Sequence, residues 1–73
     1  MELAHRIVAT ADTCSGYPRI EGTRIRVSHV LGWLAAGMSE AEIGAEYALT
    51  SDDIRAALAF AAAQLEVAAV AAD

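Results

Sequence analysis

The chain has 73 residues, of which 56% are apolar and 21% charged, and it carries a net charge of −5. That length holds one domain at most, and a domain near this size buries only about 60% of the surface its unfolded chain exposes. The apolar content excludes intrinsic disorder, and the acidic balance excludes a general electrostatic pull toward nucleic acid.

In chain order, Ile7 and Val8 are the first strand candidates, and Thr13 to Pro18 is turn chemistry. Cys14 is the sole cysteine, so no internal disulfide forms and a reducing, cytoplasmic setting is favoured. No apolar run follows a basic start, so no secretory leader is expected. Beyond Pro18, Ile20, Ile25 and Val27 sit among polar residues around Glu21-Gly22-Thr23, a tight turn. Two short strands result, giving an N-terminal β-hairpin over about residues 7–27. Arg24 and Arg26 alternate with Ile25 and Val27, so they share a strand face that Arg19 joins across the turn. Such a face suits phosphates or an acidic partner, and a merely solvated face is the equal alternative.

Ser28 is the expected N-cap of a first helix over 28–36, with Val30, Leu31 and Leu34 on one face, Trp33 beside them and Gly37 as the left-handed stop. Ser39 and Glu42 have capping-box spacing and open a second helix over 40–47. Thr50 and Asp53 repeat the device and open a third over 51–71, with Asp52 and Asp53 complementing its dipole. The turn Tyr47-Ala48-Leu49-Thr50, with Leu49 buried, has helix-turn-helix proportions. A plain three-helix bundle fits the same spacing.

The third helix carries two apolar stripes. Ile54, Leu58, Ala61 and Leu65 form the expected core face, and Phe60, Ala63, Val67 and Val70 lie roughly opposite. A small domain cannot cover both, which makes the second stripe an expected dimer or partner interface; an alanine-rich tail is the alternative. Gln64, Glu66 and the small alanines argue against a membrane span there.

No catalytic constellation emerges. His5 and His29 are isolated, Cys14 has neither a CxxC partner nor an adjacent histidine, and Gly16 and Gly22 fit no phosphate loop. Glu40, Glu42 and Glu46 read as the solvated face of a short helix. No enzyme, cofactor or metal is expected. Ser51 and Arg55 open the third helix, where a recognition helix meets base edges, although Asp52 and Asp53 beside them repel phosphate.

The run Cys14-Ser15-Gly16-Tyr17-Pro18-Arg19-Ile20-Glu21-Gly22-Thr23-Arg24-Ile25-Arg26-Val27 resembles a recurring pattern of the domain-of-unknown-function 433 family. Gly37-Met38-Ser39 with Glu42-Ile43, and Leu49-Thr50 with Asp53-Ile54 and Ala56-Ala57-Leu58, extend the resemblance over about residues 7–65. Gly16 and Gly22 suit positive φ, Pro18 fixes φ before a strand, and Thr23 bonds its own turn, so these positions are structural. Family members are widely labelled VapB-like antitoxins. The resemblance implies a mainly α, homeodomain-like three-helix helix-turn-helix domain decorated by the hairpin. It further implies a type II antitoxin that neutralises a PIN-like ribonuclease toxin and represses its own operon as a homodimer on operator DNA. Arg19, Arg24, Arg26, Ser51 and Arg55 are the candidate DNA contacts. A protein-interaction or adaptor domain of the same fold, without DNA binding, is the alternative. Ala48 departs from the family, whose turn often has proline at that place.

Overall fold

The structure, a computed structural model, describes the backbone of residues 1–68 and the side chains of residues 1–65. Its elements are β1 (Glu2–Ala4), β2 (Ile7–Val8), β3 (Arg19–Ile20), α1 (Val27–Ala35), α2 (Glu40–Tyr47) and α3 (Ser51–Ala68). It is mainly helical, as expected, with a small N-terminal sheet. The sheet differs from the expected hairpin, because β1 adds a third strand in the antiparallel order β1-β2-β3. Of the expected hairpin pairing around Glu21-Gly22-Thr23, only a single bridge between Arg19 and Arg26 forms.

Two devices close that turn. Gly22 takes φ 80°, and the Thr23 hydroxyl donates to the Ile20 carbonyl (2.8 Å) while accepting from the Ile25 amide (3.0 Å). β2 pairs with β3 so that Ile7 lies opposite Ile20, and both are fully buried against the helices.

Helix α1 begins at Val27, one residue earlier than expected, and Ser28 does not cap it. Arg26 is the N-cap, and its amide donates to His29 Nδ1 at 3.3 Å. Val27 is thereby buried in the core rather than paired in a strand. The helix ends in a Schellman motif. The Gly37 and Met38 amides bond the Leu34 and Trp33 carbonyls at 3.0 Å each, and Gly37 takes φ 102°. Ser39 and Glu42 form the expected capping box of α2 (3.1 and 2.8 Å). Trp33 of α1 stacks on Tyr47 of α2, ring centroids 3.8 Å apart, and locks the two helices together.

Between α2 and α3, Ala48 is left-handed (φ 56°, ψ 42°). Proline cannot reach that φ, so this form of the turn excludes the residue the family often has at that place. Leu49 points into the core as expected, and Ile54, Ala56 and Ala57 continue the buried face of α3. The small alanines let α3 lie close on α1.

The two expected stripes of α3 are therefore redistributed. Leu58 and Leu65, expected in the core, are 37% and 71% exposed. Phe60, expected on the partner stripe, packs partly against the core, while Ala63 is exposed. Ile54 and Asp53 set this orientation, because burying them fixes which side of the helix faces inward. Only the backbone of Val67 is described, and Val70 lies outside the described residues.

Candidate interaction site

The start of α3 is built around one buried carboxylate. Asp53 is 5% exposed. Its Oδ2 accepts from the Thr50 amide (3.1 Å), and its own amide donates to Thr50 Oγ1 (3.0 Å), the expected box. Its Oδ1 accepts from Arg6 Nε at 2.9 Å. Arg6 sits in the β1–β2 turn at φ 65° and also reaches the carboxylate and carbonyl of Glu21 (3.5 and 3.2 Å). Beside it, His5 Nε2 lies 2.8 Å from Asp52 Oδ2. Neither Arg6 nor His5 was among the expected site residues. The contacts span 47 positions in sequence, and nothing local announces them.

Burial pushes the Asp53 carboxyl up, but hydrogen bonds from Thr50 and the Arg6 guanidinium outweigh it and hold the group below its ordinary value of 3.8. The folded state therefore gains stability from this group above that value, and loses it as pH falls through the lower folded value. The stability advantage of the wild type over Asp53→Asn, followed by urea unfolding, is expected to shrink as pH drops below 3.8. An advantage that stays constant down to acid unfolding would contradict the linkage.

The expected basic face is largely consumed by the fold. Arg19 and Arg26 do meet across their bridge. Arg19 is half-buried, and its Nε donates to the Thr23 carbonyl at 3.0 Å. Arg26 lies over the Tyr17 ring, 4.4 Å from its centroid. Only Arg24 stands fully exposed there, with Ser51 and Arg55 exposed elsewhere, on α3. On α2, Glu40, Glu42 and Glu46 are all exposed, which places negative charge where a helix-turn-helix would cross a phosphate backbone.

The most distinctive surface is an apolar groove of about 320 Å³ between α1, α3 and the loop before β3. Tyr17 and Pro18 form one wall, Val27 and Leu31 the floor, and Phe60 and Leu65 the other wall, with Ser28 and Gln64 at the edge. The loop wall is held under strain. Cys14, Ser15 and Gly16 are successive left-handed residues (φ 54°, 55° and 82°), and each non-glycine residue there costs about 1–2 kcal/mol. Gly16 takes the positive φ expected of it, but its two neighbours were not expected to do so. Hydrogen bonds from the Gly16 and Tyr17 amides (3.1 and 3.0 Å) and from Cys14 Sγ to the Arg24 carbonyl (3.2 Å) hold the segment. The result fixes Tyr17, 56% exposed, at the rim beneath Arg26.

Among the described residues no group of histidine, cysteine, aspartate or glutamate side chains is arranged to hold a metal ion, and no helix is long and apolar enough to cross a membrane.

Residues 7–61 match a family described as "Protein of unknown function (DUF433)". The fold is similar to the crystal structure of a DUF433 member protein from Anabaena variabilis, with a TM-score of 0.78 and 32% identity over 84% of this chain. The match covers 61% of that protein, so this chain spans less than two thirds of its length. No curated protein matches.

Proposed function

We propose that this chain, which belongs to the DUF433 family, is a non-enzymatic regulator of the antitoxin type that works by holding a partner protein. The observation that carries this reading is the apolar groove, open to solvent, with Tyr17 and Arg26 stacked at its rim. Tyrosine and arginine are among the residue types that dominate protein–protein affinity once a partner buries them. A loop already fixed in one strained conformation loses little entropy on docking. The occupant that fits is an amphipathic helix of the partner, presenting an apolar ridge to Leu31 and Phe60 and a carboxylate to Arg26. A PIN-like ribonuclease encoded next door, met in the cytoplasm, is the partner that the family resemblance implies.

The test is co-purification with the tagged product of the adjacent gene, combined with a ribonuclease assay. Ser28 is exposed at the groove edge in the first turn of α1. Ser28→Glu therefore leaves the helix sound while placing a charge in an apolar seat, and it should weaken the complex at least about tenfold. Tyr17→Ala should weaken it by about 2 kcal/mol, roughly thirtyfold. Full retention of binding by both folded variants would count against the groove.

Operator DNA is the second reading. It is favoured by Arg6, which neutralises Asp53 and relieves part of the repulsion beside Ser51 and Arg55. The exposed glutamates of α2 oppose it. Steep loss of DNA affinity with salt, abolished by Arg55→Ala, would favour DNA over a protein partner.

A further inference from the structure

A second cleft, of about 420 Å³, lies between β1 with its following turn and one side of α3. That volume is within the range of small-molecule sites. Phe60 lines both this cleft and the groove, and so stands between them. Asp52, Arg55, Ala56 and Ala59 recur at helical spacing along the cleft, and its chemistry changes along that line. The start of α3 contributes Asp52 and Arg55, beside His5 of the β1–β2 turn. Beyond them the lining is Leu3, Ala56, Ala59 and Phe60. Phe60 lies about 7.5 Å along the helix axis from Arg55, at about 1.5 Å per residue.

The polar end is only partly satisfied. Asp52 Oδ2 lies 2.8 Å from His5 Nε2, and that bond leaves the second carboxylate oxygen able to accept another. Among the described residues Arg55 forms no ion pair, so its guanidinium keeps its donors. Residues three apart on a helix are neighbours. Asp52 and Arg55 therefore offer an acid and a base side by side, next to an apolar wall.

We infer that this cleft binds a free α-amino acid with a large apolar side chain. A lone carboxylate at this end would meet Asp52, and a lone ammonium would meet Arg55. A head that carries both charges on one carbon is repelled by neither. Its carboxylate pairs with the Arg55 guanidinium, and its ammonium donates to the free oxygen of Asp52. Its side chain then lies over Ala59 toward Leu3 and Phe60. The alanines leave room there for a branched or aromatic group, whose burial supplies the apolar part of the affinity. Leu3, 40% exposed, sheds water on binding. A bound amino acid occupies Arg55, so it competes with any reading of DNA by α3. The inference rests on this cleft alone and stands apart from the groove reading.

The experiment is calorimetric titration of the purified full chain with L-phenylalanine and L-leucine. L-alanine, 3-phenylpropionate and phenethylamine are the comparison compounds. Saturable binding of the two large amino acids is expected, with a Kd of about 1 mM or tighter. L-alanine lacks the apolar group, and each of the other two lacks half of the charged head. All three should bind at least about tenfold more weakly. Arg55→Gln and Asp52→Asn change exposed side chains and should each weaken L-phenylalanine at least about tenfold. Ala59→Phe fills the apolar part of the cleft and should abolish binding, with helical content by circular dichroism unchanged. No saturation by either large amino acid up to about 10 mM would overturn the inference. So would equally tight binding of 3-phenylpropionate or phenethylamine, or full affinity in either charge variant.

Discussion

Asp53→Ala is expected to destabilise the fold by about 2–3 kcal/mol, a large share of the roughly 5 kcal/mol typical of the least stable domains. Three losses combine. The Thr50 amide loses its acceptor, which alone costs about 1 kcal/mol at a helix start. A charge-assisted bond inside a nearly buried site disappears. The β1–β2 turn, held to α3 through Arg6, comes loose from the helix it anchors. Arg6 is one-third exposed and turns to water, so the full penalty of stranding a buried charge does not apply. Asp52→Ala is the control. Its contact with His5 lies on the surface, with both side chains more than 60% exposed, and its loss should change stability by less than about 0.5 kcal/mol. Thermal and urea unfolding of the two variants, side by side, would separate them. Equal effects would show that Asp53 is not the hub of this fold.

Gly44→Ala should also destabilise, by about 1–3 kcal/mol, against the usual trend for glycine in a helix. Alanine normally gains about 0.5–1 kcal/mol there because it restricts the unfolded chain. At this position a Cβ would stand 2.8 Å from the carbonyl oxygen of Leu49. The obstacle is backbone, so the turn itself must move. The same turn depends on the Leu49 amide bonding the Gly44 carbonyl at 3.2 Å and on Leu49 staying in the core. Gly32 supplies the contrast. It lies on the exposed side of α1, and a Cβ there meets nothing within 4 Å, so Gly32→Ala should stabilise by about 0.5–1 kcal/mol. One substitution type with opposite signs at two helical glycines tests the close approach of α2 to the turn. A stabilising Gly44→Ala would contradict it.

What could be read from the sequence was local. Ser39 with Glu42, Thr50 with Asp53, and Gly37 each encode a helix end within a few residues, and all three form as expected. Gly22 and Thr23 likewise encode their turn. The facing of α3 was not legible, because its close approach is carried by Ala56 and Ala57, and alanine adds little to an apolar pattern. Large residues such as Leu58 and Leu65 dominate that pattern and point to the wrong side. The pairings of Arg6 with Asp53 and His5 with Asp52 join distant segments, so spacing could not reveal them. Arg24 and Arg26 alternate as a surface strand would, yet the bridge to Arg19 and the capping of α1 draw Arg26 into the fold. The groove was illegible for the same reason, since its walls come from a loop and two helices. Where sequence sufficed was the family, because its pattern of turns and caps runs over most of the chain.

The most direct test of a protein-binding role is calorimetric titration of the chain with the purified product of its adjacent gene, at several temperatures and two salt concentrations. Docking of an apolar ridge into the groove predicts saturable binding with a negative heat-capacity change, only modestly weakened by salt and lost in Ser28→Glu. No binding to that protein, together with tight and steeply salt-dependent binding to the DNA upstream of its own gene, would contradict the account.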